Sequence, residues 1–129
     1  MKIIIADDSP IFRARLFTLL DELEDVEIVG QADSGPGALE IIRTSSPDAV
    51  IMDIRMPGLT GIQVLEEIRK TRPDLLIVMM TNYSYQQYRE RCRKAGADYF
   101  FDKSHDIEKI LEVFASRSGA RQSMTKETP

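Results

Sequence analysis

Three aspartates stand where short apolar segments of the sequence end, and carboxylates placed in this way can bind a metal ion. Asp7 and Asp8 follow the apolar run that begins at Lys2, and Asp53 ends the run that begins at Ala49. If the two runs are neighbouring strands, the three side chains meet in one crevice. Two carboxylates about 5 Å apart repel each other by roughly 3 kcal/mol at an effective dielectric constant of about 20, so the cluster needs a cation or bound protons. Oxygen ligands that face solvent suit Mg2+, which keeps several waters and often bridges to a phosphate.

Two further polar side chains follow later apolar runs. Thr81 comes directly after Met80, and Lys103 comes directly after Asp102. A hydroxyl and an ammonium group beside a carboxylate–metal cluster can hold the oxygens of a phosphoryl group. The alternative is that Lys103 only neutralises the acids and Thr81 only caps a helix. That alternative accounts for the charge balance, but not for a suitable polar group at the end of four different runs.

A sheet whose strands end at one edge would bring these residues together, and the apolar runs predict one. The runs are nearly continuous in Ile and Val, as is typical of strands covered on both faces of a parallel sheet. A helix-like stretch follows each run, which indicates an α/β fold with right-handed crossovers and helices on both faces. Five strands suit the flavodoxin-like order 2-1-3-4-5, in which strands 1 and 3 are neighbours and ligands bind beyond their carboxyl ends. The five runs are Lys2–Ala6, Glu27–Ala32, Ala49–Met52, Leu75–Met80 and Tyr99–Phe101.

The fourth predicted helix, from about residue 85 to residue 95, has little apolar surface to bury. Only Tyr88, Cys92 and Ala95 form an inward stripe. Because burial contributes about 25 cal/mol per Å2, we expect this helix to be the most weakly held and the most mobile regular element. Its basic residues form either a solvated face or a surface for an acidic protein partner; they are Arg89, Arg91, Arg93 and Lys94.

Length and composition restrict the class of protein. The 129 residues predict one domain over 1–116, followed by a disordered tail or linker over 117–129. A net charge of -4 argues against direct nucleic-acid binding. One cysteine and one histidine exclude an internal disulfide, a cysteine-based zinc site and a multi-histidine site. No run reaches the roughly 20 apolar residues of a membrane span, and the start does not read as a signal peptide, so we expect a cytoplasmic location.

The motifs together resemble the receiver domain of two-component response regulators, the family that includes the chemotaxis response regulator. The resemblance covers residues 2 to about 116 and rests on the Asp7-Asp8 pair, the block 52–58 with Gly61, Thr81, and Lys103 after 95–98. It implies that Asp53 accepts a phosphoryl group from a sensor histidine kinase or a phosphotransfer protein.

The resemblance also implies roles for the surrounding residues. Asp8, Asp53 and the backbone carbonyl of Arg55 would ligate Mg2+ directly, and Asp7 would act mainly through water. Lys103 would pair with one phosphoryl oxygen, and Thr81 would donate a hydrogen bond to another.

A conformational switch is the output that the resemblance implies. Thr81 would move toward the phosphoryl group and Phe100 would turn inward. These movements would change the surface of helix 4, strand 5 and helix 5, which would bind a downstream protein or a second copy of the chain. Two positions depart from the family pattern, since Ser104 replaces a proline that usually follows the lysine and Phe100 replaces a frequent tyrosine.

Several functional interpretations stay open at this point. The first is a stand-alone signalling receiver, which is not an enzyme beyond its own phosphotransfer and autodephosphorylation. The second is a receiver fragment of a larger DNA-binding regulator, with the tail as a linker. The third is a Mg2+-dependent phosphatase on the same fold, and it lacks a second acid–base residue or a substrate motif. The fourth, a degenerate receiver that only docks partners, is opposed by the intact acidic, threonine and lysine positions.

Overall fold

A computed structural model of the chain describes residues 1–82 and 86–118. Strands and helices alternate five times along these residues. The elements are β1 (Lys2–Ala6), α1 (Pro10–Asp21), β2 (Glu27–Ala32), α2 (Gly35–Ser45), β3 (Ala49–Asp53), α3 (Gly61–Arg69), β4 (Leu76–Thr81), α4 (Gln86–Ala95), β5 (Tyr99–Asp102) and α5 (Ile107–Ser118). Over the described ranges, no helix combines the length and the apolar character that a membrane span requires.

The five strands form one parallel sheet in the order β2-β1-β3-β4-β5, which confirms the predicted order. Strand β1 lies beside β3, with Ala6 opposite Met52. The three central strands are almost entirely buried, as their Ile- and Val-rich sequences predict. The carboxyl ends of β1 and β3 therefore lie side by side at one edge of the sheet.

Helices cover both faces of the sheet because alternate residues of each strand point to opposite faces. Ile4 and Val50 pack in the core beneath α2, α3 and α4. Ile3 and Ile51 pack in the other core, beneath α1 and α5. This double coverage explains why the strands read as continuous apolar runs rather than as alternating ones.

Side-chain caps fix where three of the helices begin, close to the strand ends. The hydroxyl oxygen of Ser9 accepts a hydrogen bond from the Phe12 amide, and Pro10 occupies the first turn. Ser34 caps α2, which begins at Gly35. Thr60 and Gln63 form a reciprocal capping box at the start of α3. The caps set the entry angle of each helix just beyond the edge where the functional residues lie.

The inward stripe of α4 is confirmed, although it is short. Cys92 is fully buried, and Tyr88 and Ala95 are half-buried against the core. On the outer side of the helix, the guanidinium of Arg89 lies 4.6 Å from the centre of the Phe100 ring. The predicted first residue of this helix, Tyr85, lies outside the described residues.

The end of the predicted domain differs slightly from the structure. Helix α5 reaches Ser118, so the first two residues assigned to the tail belong to the helix. Residues 119–129, where the rest of the predicted tail or linker falls, lie outside the described residues.

Candidate functional site

Three carboxylates meet at the edge of the sheet where β1 and β3 end. Asp7, Asp8 and Asp53 each place an oxygen within 4.8 Å of the others. Asp7 is fully buried, Asp53 is 6% exposed, and Asp8 is exposed to solvent. The three side chains that sequence analysis placed in one crevice are therefore together, with one side of the cluster open.

Backbone contacts of Asp7 hold the first part of this cluster in place. The Asp7 amide donates to the carbonyl oxygen of Ala32 at 2.9 Å, which extends the pairing of β1 with β2 by one residue. Its Oδ1 accepts a hydrogen bond from the Ser9 amide at 2.8 Å. Its own carbonyl oxygen accepts a hydrogen bond from Nη1 of Arg13 at 2.6 Å. Asp7 is thus fixed by neighbours on β2, on the loop before α1, and on α1 itself.

Lys103 supplies a positive charge to two of the three acids. Its Nζ lies 2.7 Å from Oδ2 of Asp7 and 3.3 Å from Oδ2 of Asp53. The ammonium also lies 4.4 Å from the centre of the Phe12 ring, which closes one side of it. No local sequence pattern shows that Phe12 contacts Lys103, because the two residues lie 91 positions apart in the chain.

Burial and charge set the protonation of the site in opposite directions. Burial raises the pKa of Asp53 to about 6, with Asp7 adding to the rise and Lys103 opposing it. Burial also disfavours the charge of Lys103, but its contacts with Asp7 and Asp53 outweigh this effect and raise the pKa of the ammonium. Asp53 therefore ionises closer to neutral pH than an aspartate in water does, next to a lysine that keeps its charge.

The loop between β3 and α3 is packed tightly behind Asp53. The backbone N–H of Arg55 donates a hydrogen bond to the Asp53 carboxylate and lowers its pKa. The Gly61 amide donates to the Ile54 carbonyl at 2.7 Å. A Cβ atom at Gly61 would lie only 2.1 Å from the carbonyl oxygen of Asp53, so this approach requires glycine. The arrangement fixes the direction of the Asp53 side chain and brings the Arg55 backbone to the cluster.

The donor set fits a hard divalent cation such as Mg2+. Oδ2 of Asp7 is buried and accepts no well-aligned hydrogen bond from the described residues, its close neighbour being the Lys103 ammonium. Two further carboxylates converge beside it, and the exposure of Asp8 gives water access to the cluster. Few oxygen ligands with room for several waters match the coordination that Mg2+ prefers.

Thr81 and Phe100 lie on the neighbouring strands. Met80 pairs with Asp53 across β3 and β4, so the fully buried Thr81 follows one residue beyond the level of Asp53. Phe100 on β5 is half-buried, beneath the Arg89 guanidinium. Ser104, which stands where a proline was expected, has its hydroxyl 3.5 Å from the side-chain oxygen of Asn82.

A parallel sheet of this order, with an acidic crevice beside a buried lysine, defines the receiver class of signalling domain. Residues 3–115 match the response regulator receiver domain, and the chain belongs to that family. The family assignment agrees with the resemblance read from the sequence, and it makes the chain the receiver domain of a two-component response regulator.

Known relatives include transcription regulators of bacteria. The response regulator GacA of Pseudomonas aeruginosa is 30% identical over 113 residues, which cover 88% of this chain and 53% of GacA. The DNA-binding transcriptional activator EvgA of Escherichia coli K12 is 34% identical over 120 residues, which cover 92% of this chain and 58% of EvgA. The chain thus spans little more than half of the length of these relatives.

Solved structures show the same fold. A DNA-binding response regulator of the LuxR family from Staphylococcus aureus matches with a TM-score of 0.83 and 32% sequence identity. The match covers 91% of this chain and 98% of that one.

Proposed function

We propose that Asp53 is the phosphoacceptor of this receiver and that its donor is a phosphohistidine on a sensor histidine kinase or a phosphotransfer protein. The observation that carries the proposal is the position of Asp53. Its carboxylate ends a buried strand, touches Lys103 at 3.3 Å, and lies among the oxygens of Asp7 and Asp8. Phosphoryl transfer asks a protein mainly for positioning and for stabilisation of charge, and these neighbours provide both.

The proposed reaction is a transfer between two side chains. An oxygen of ionised Asp53 forms a bond to phosphorus while the phosphorus–nitrogen bond of the phosphohistidine breaks. The electron pair of that bond returns to the imidazole nitrogen, which takes up a proton. The product is an acyl phosphate on Asp53, and water later cleaves it to regenerate the carboxylate and inorganic phosphate.

The acids would hold Mg2+, with Asp8, Asp53 and the Arg55 carbonyl as direct ligands and Asp7 acting mainly through water. When bound, the ion supplies positive charge to the phosphoryl oxygens. Lys103, which already faces Asp53, would pair with another of those oxygens, and the hydroxyl of Thr81 would donate a hydrogen bond to a third. The chain carries out this chemistry on itself and is not an enzyme with a separate substrate.

The output of the proposed reaction is a change of surface. The phosphoryl group adds about -1.5 to -2 charge at Asp53. Thr81 would move toward it, and Phe100 would turn inward from beneath Arg89. The surface formed by α4, β5 and α5 would then favour a downstream protein or a second copy of the chain. The phosphorylated state must favour the second conformer by a few kcal/mol.

The relatives support a second proposal about the whole protein. EvgA is named as a DNA-binding activator, and the chain spans little more than half of its length. We infer that this receiver can serve as the regulatory part of a DNA-binding regulator, with residues after α5 acting as a linker. In that case the surface change would act on an attached domain instead of on a separate partner.

Incorporation of a phosphoryl group is the direct test of the acceptor. The chain is incubated with acetyl phosphate and Mg2+, and its intact mass is measured. We expect the mass of one added phosphoryl group in the natural chain and none in Asp53→Asn. Asp74→Asn, which alters an exposed aspartate outside the cluster, serves as the matched control and should incorporate like the natural chain.

A different outcome would show that a residue other than Asp53 accepts the phosphoryl group. Equal incorporation in the natural chain and in Asp53→Asn would contradict the proposal. Incorporation that does not depend on Mg2+ would contradict the metal site while leaving Asp53 as the acceptor.

A further inference from the structure

A cleft of about 440 Å3 lies beside β2, the outer strand at one edge of the sheet. Arg13 of α1 forms one wall, and the end of β2 forms the floor with Asp33 beyond it. The opposite wall is a single face of α2, because its residues recur at helical spacing: Gly37, Glu40, Ile41 and Thr44. None of the cleft residues belongs to the acidic cluster around Asp53.

The cleft carries charges of both signs that do not pair with one another. Among the described residues, the carboxylates of Asp33 and Glu40 have neither an ion-pair partner nor a hydrogen-bond donor. Arg13 donates from Nε to the side-chain oxygen of Gln31 at 3.3 Å and from Nη1 to the Asp7 carbonyl at 2.6 Å. These two bonds leave its Nη2 without an acceptor in the described part of the chain. Exposed acids are common, but two carboxylates without partners and a guanidinium with an unused Nη2 line the same cleft here, and a ligand of complementary charge can pair with all three.

We propose that this cleft binds a small molecule with one carboxylate and two cationic groups, the charge pattern of a basic α-amino acid. The carboxylate would accept hydrogen bonds from Arg13, whose planar guanidinium suits it. The two ammonium groups would meet Asp33 and Glu40, and the aliphatic chain would lie on Ile41. The volume falls within the roughly 300–1,000 Å3 of small-molecule sites.

Ligand binding in the cleft would affect the acidic cluster through the backbone of Asp7. Ala32, which lines the cleft, accepts the Asp7 amide hydrogen bond at 2.9 Å. Arg13 binds the Asp7 carbonyl. A ligand that accepts hydrogen bonds from Arg13 would therefore alter both backbone contacts of Asp7. The side chain of Asp7 faces Lys103. The binding itself does not depend on the proposed phosphoryl transfer.

The test is a titration of the isotope-labelled chain with L-lysine, followed by NMR without Mg2+ or a phosphodonor. Three analogues each lack one charge: cadaverine lacks the carboxylate, 6-aminohexanoate the α-ammonium, and norleucine the side-chain ammonium. We expect saturable shifts of the Asp7, Ala32 and Gly37 amides with L-lysine. Each analogue should bind at least about tenfold more weakly, because one charged group of the cleft is left without its counterpart.

Substitutions separate the site from general charge effects. Glu40→Gln alters an exposed carboxylate that has no hydrogen-bond or ion-pair partner among the described residues, so the fold should be retained and affinity should fall by about tenfold or more. Arg13→Gln should have the same effect. Arg43→Gln on the same helix is the matched control and should bind L-lysine like the natural chain, because within the described ranges Arg43 pairs with the half-buried Glu67, at 3.9 Å, and does not line the cleft.

Three results would overturn the inference. They are the absence of saturable shifts with L-lysine, equal binding of all four compounds, and unchanged affinity in Glu40→Gln. Because no phosphodonor is present, none of them bears on whether Asp53 is phosphorylated.

Discussion

Asp53 combines a chemical requirement with a cost in stability. As the proposed nucleophile it must be ionised, yet burial raises its pKa to about 6. Burial in the folded chain therefore disfavours the ionised form of Asp53, and Lys103 opposes this effect only in part. A functional site that keeps like charges together in this way is expected to lower the stability of the fold.

Asp53→Asn should therefore stabilise the chain at pH 7.5 in the absence of divalent ions. A folded-state pKa of about 6, against the ordinary value of 3.8, corresponds to at most about 3 kcal/mol in the free energy of unfolding. The folded-state pKa lies above the unfolded value of 3.8, so the natural chain gains stability as pH falls from above 6 toward 4. The advantage of the variant should shrink over that range. Urea denaturation at several pH values measures it.

The same measurement on Asp74→Asn provides the baseline, since that side chain is exposed. An Asp53→Asn variant that is less stable than the natural chain at pH 7.5, or whose difference does not change with pH, would contradict this account of Asp53.

Lys103→Met should destabilise the fold when no divalent ion is present. It removes the cation that faces buried Asp7 and Asp53, and loss of one partner from a buried ion pair typically costs about 3–5 kcal/mol. Mg2+ should restore more stability to the variant than it adds to the natural chain, because it replaces the missing charge. Thermal unfolding with and without Mg2+ measures both effects.

Lys109→Met is the matched control for that experiment. Lys109 is 65% exposed and pairs with Asp106 at 3.5 Å, so its loss should change the free energy of unfolding by less than about 1 kcal/mol. Equal effects of the two substitutions would show that Lys103 does not neutralise the acidic cluster.

At the scale of elements, the start of α2 holds the loop that carries Arg55. The Gly35 amide donates to the Pro57 carbonyl at 3.0 Å. A Cβ atom at Gly35 would lie 2.1 Å from the carbonyl oxygen of Leu59, and Gly58 adopts a positive φ of 84° against Pro36. Helix α2 and the loop after β3 thus approach so closely that only glycine fits between them.

Gly35→Ala should push this loop away from α2 and disturb the acidic cluster in turn. We expect a loss of about 1–3 kcal/mol in the free energy of unfolding and weaker binding of Mg2+, because Arg55 would leave its place beside Asp53. Calorimetric titration with Mg2+ and urea denaturation measure the two effects. Gly37→Ala in the same helix is the control, since its added methyl would meet the Ser34 hydroxyl at 3.0 Å and the Ala32 Cβ at 3.8 Å rather than the loop after β3. Unchanged Mg2+ affinity in Gly35→Ala would show that the position of this loop does not affect the metal site.

Helix α4 is attached through few contacts, and this agrees with its sequence. One fully buried side chain, Cys92, anchors it, with Tyr88 and Ala95 at the margin. The Arg89–Phe100 contact adds a link on the outer side. An element held in this way can change position at a small energetic cost, which suits the proposed role of its surface as the output of the switch.

At the scale of the whole molecule, the surface of α4, β5 and α5 carries opposite charges on its two helices. Arg91 and Lys94 are exposed on α4, and Glu108 and Glu112 are exposed on α5. A symmetric contact between two copies could bring the basic side chains of α4 in one copy to Glu108 and Glu112 of α5 in the other. The proposed homodimer through this surface therefore has a charge pattern that favours it.

Beryllofluoride with Mg2+, which mimics the phosphoryl group, should increase the dimer fraction of the chain. Arg91→Glu should weaken that dimer by about tenfold, and adding Glu112→Arg should restore part of it, as exchange of a charge pair predicts. Sedimentation velocity measures the dimer fraction. Arg43→Glu on α2, away from this surface, should leave it unchanged. A dimer insensitive to Arg91→Glu would place the contact elsewhere.

Some contacts could not be predicted from the sequence because they join residues that are far apart in it. Arg69 at the end of α3 donates to the Gly96 and Leu75 carbonyls and pairs with Asp98 at 3.0 Å. The ring of Phe12 on α1 lies 4.4 Å from the Lys103 ammonium. No periodicity shows such contacts, since they depend on how helices and loops approach one another.

The sequence by itself determined the strands, their order and the group of residues at the sheet edge. Apolar runs fix the buried strands, and the carboxyl ends of parallel strands share one edge, so Asp7, Asp8 and Asp53 had to converge once β1 and β3 were neighbours. Only the tertiary structure decided how Lys103 divides its charge between Asp7 and Asp53, how closely Gly35 approaches Leu59, and that a charged cleft lies beside β2. The physical reason is that the apolar pattern of a sequence specifies only which face of a strand or helix a residue occupies. Ion pairs and close packing depend on distances of a few ångströms, which only the assembled fold sets.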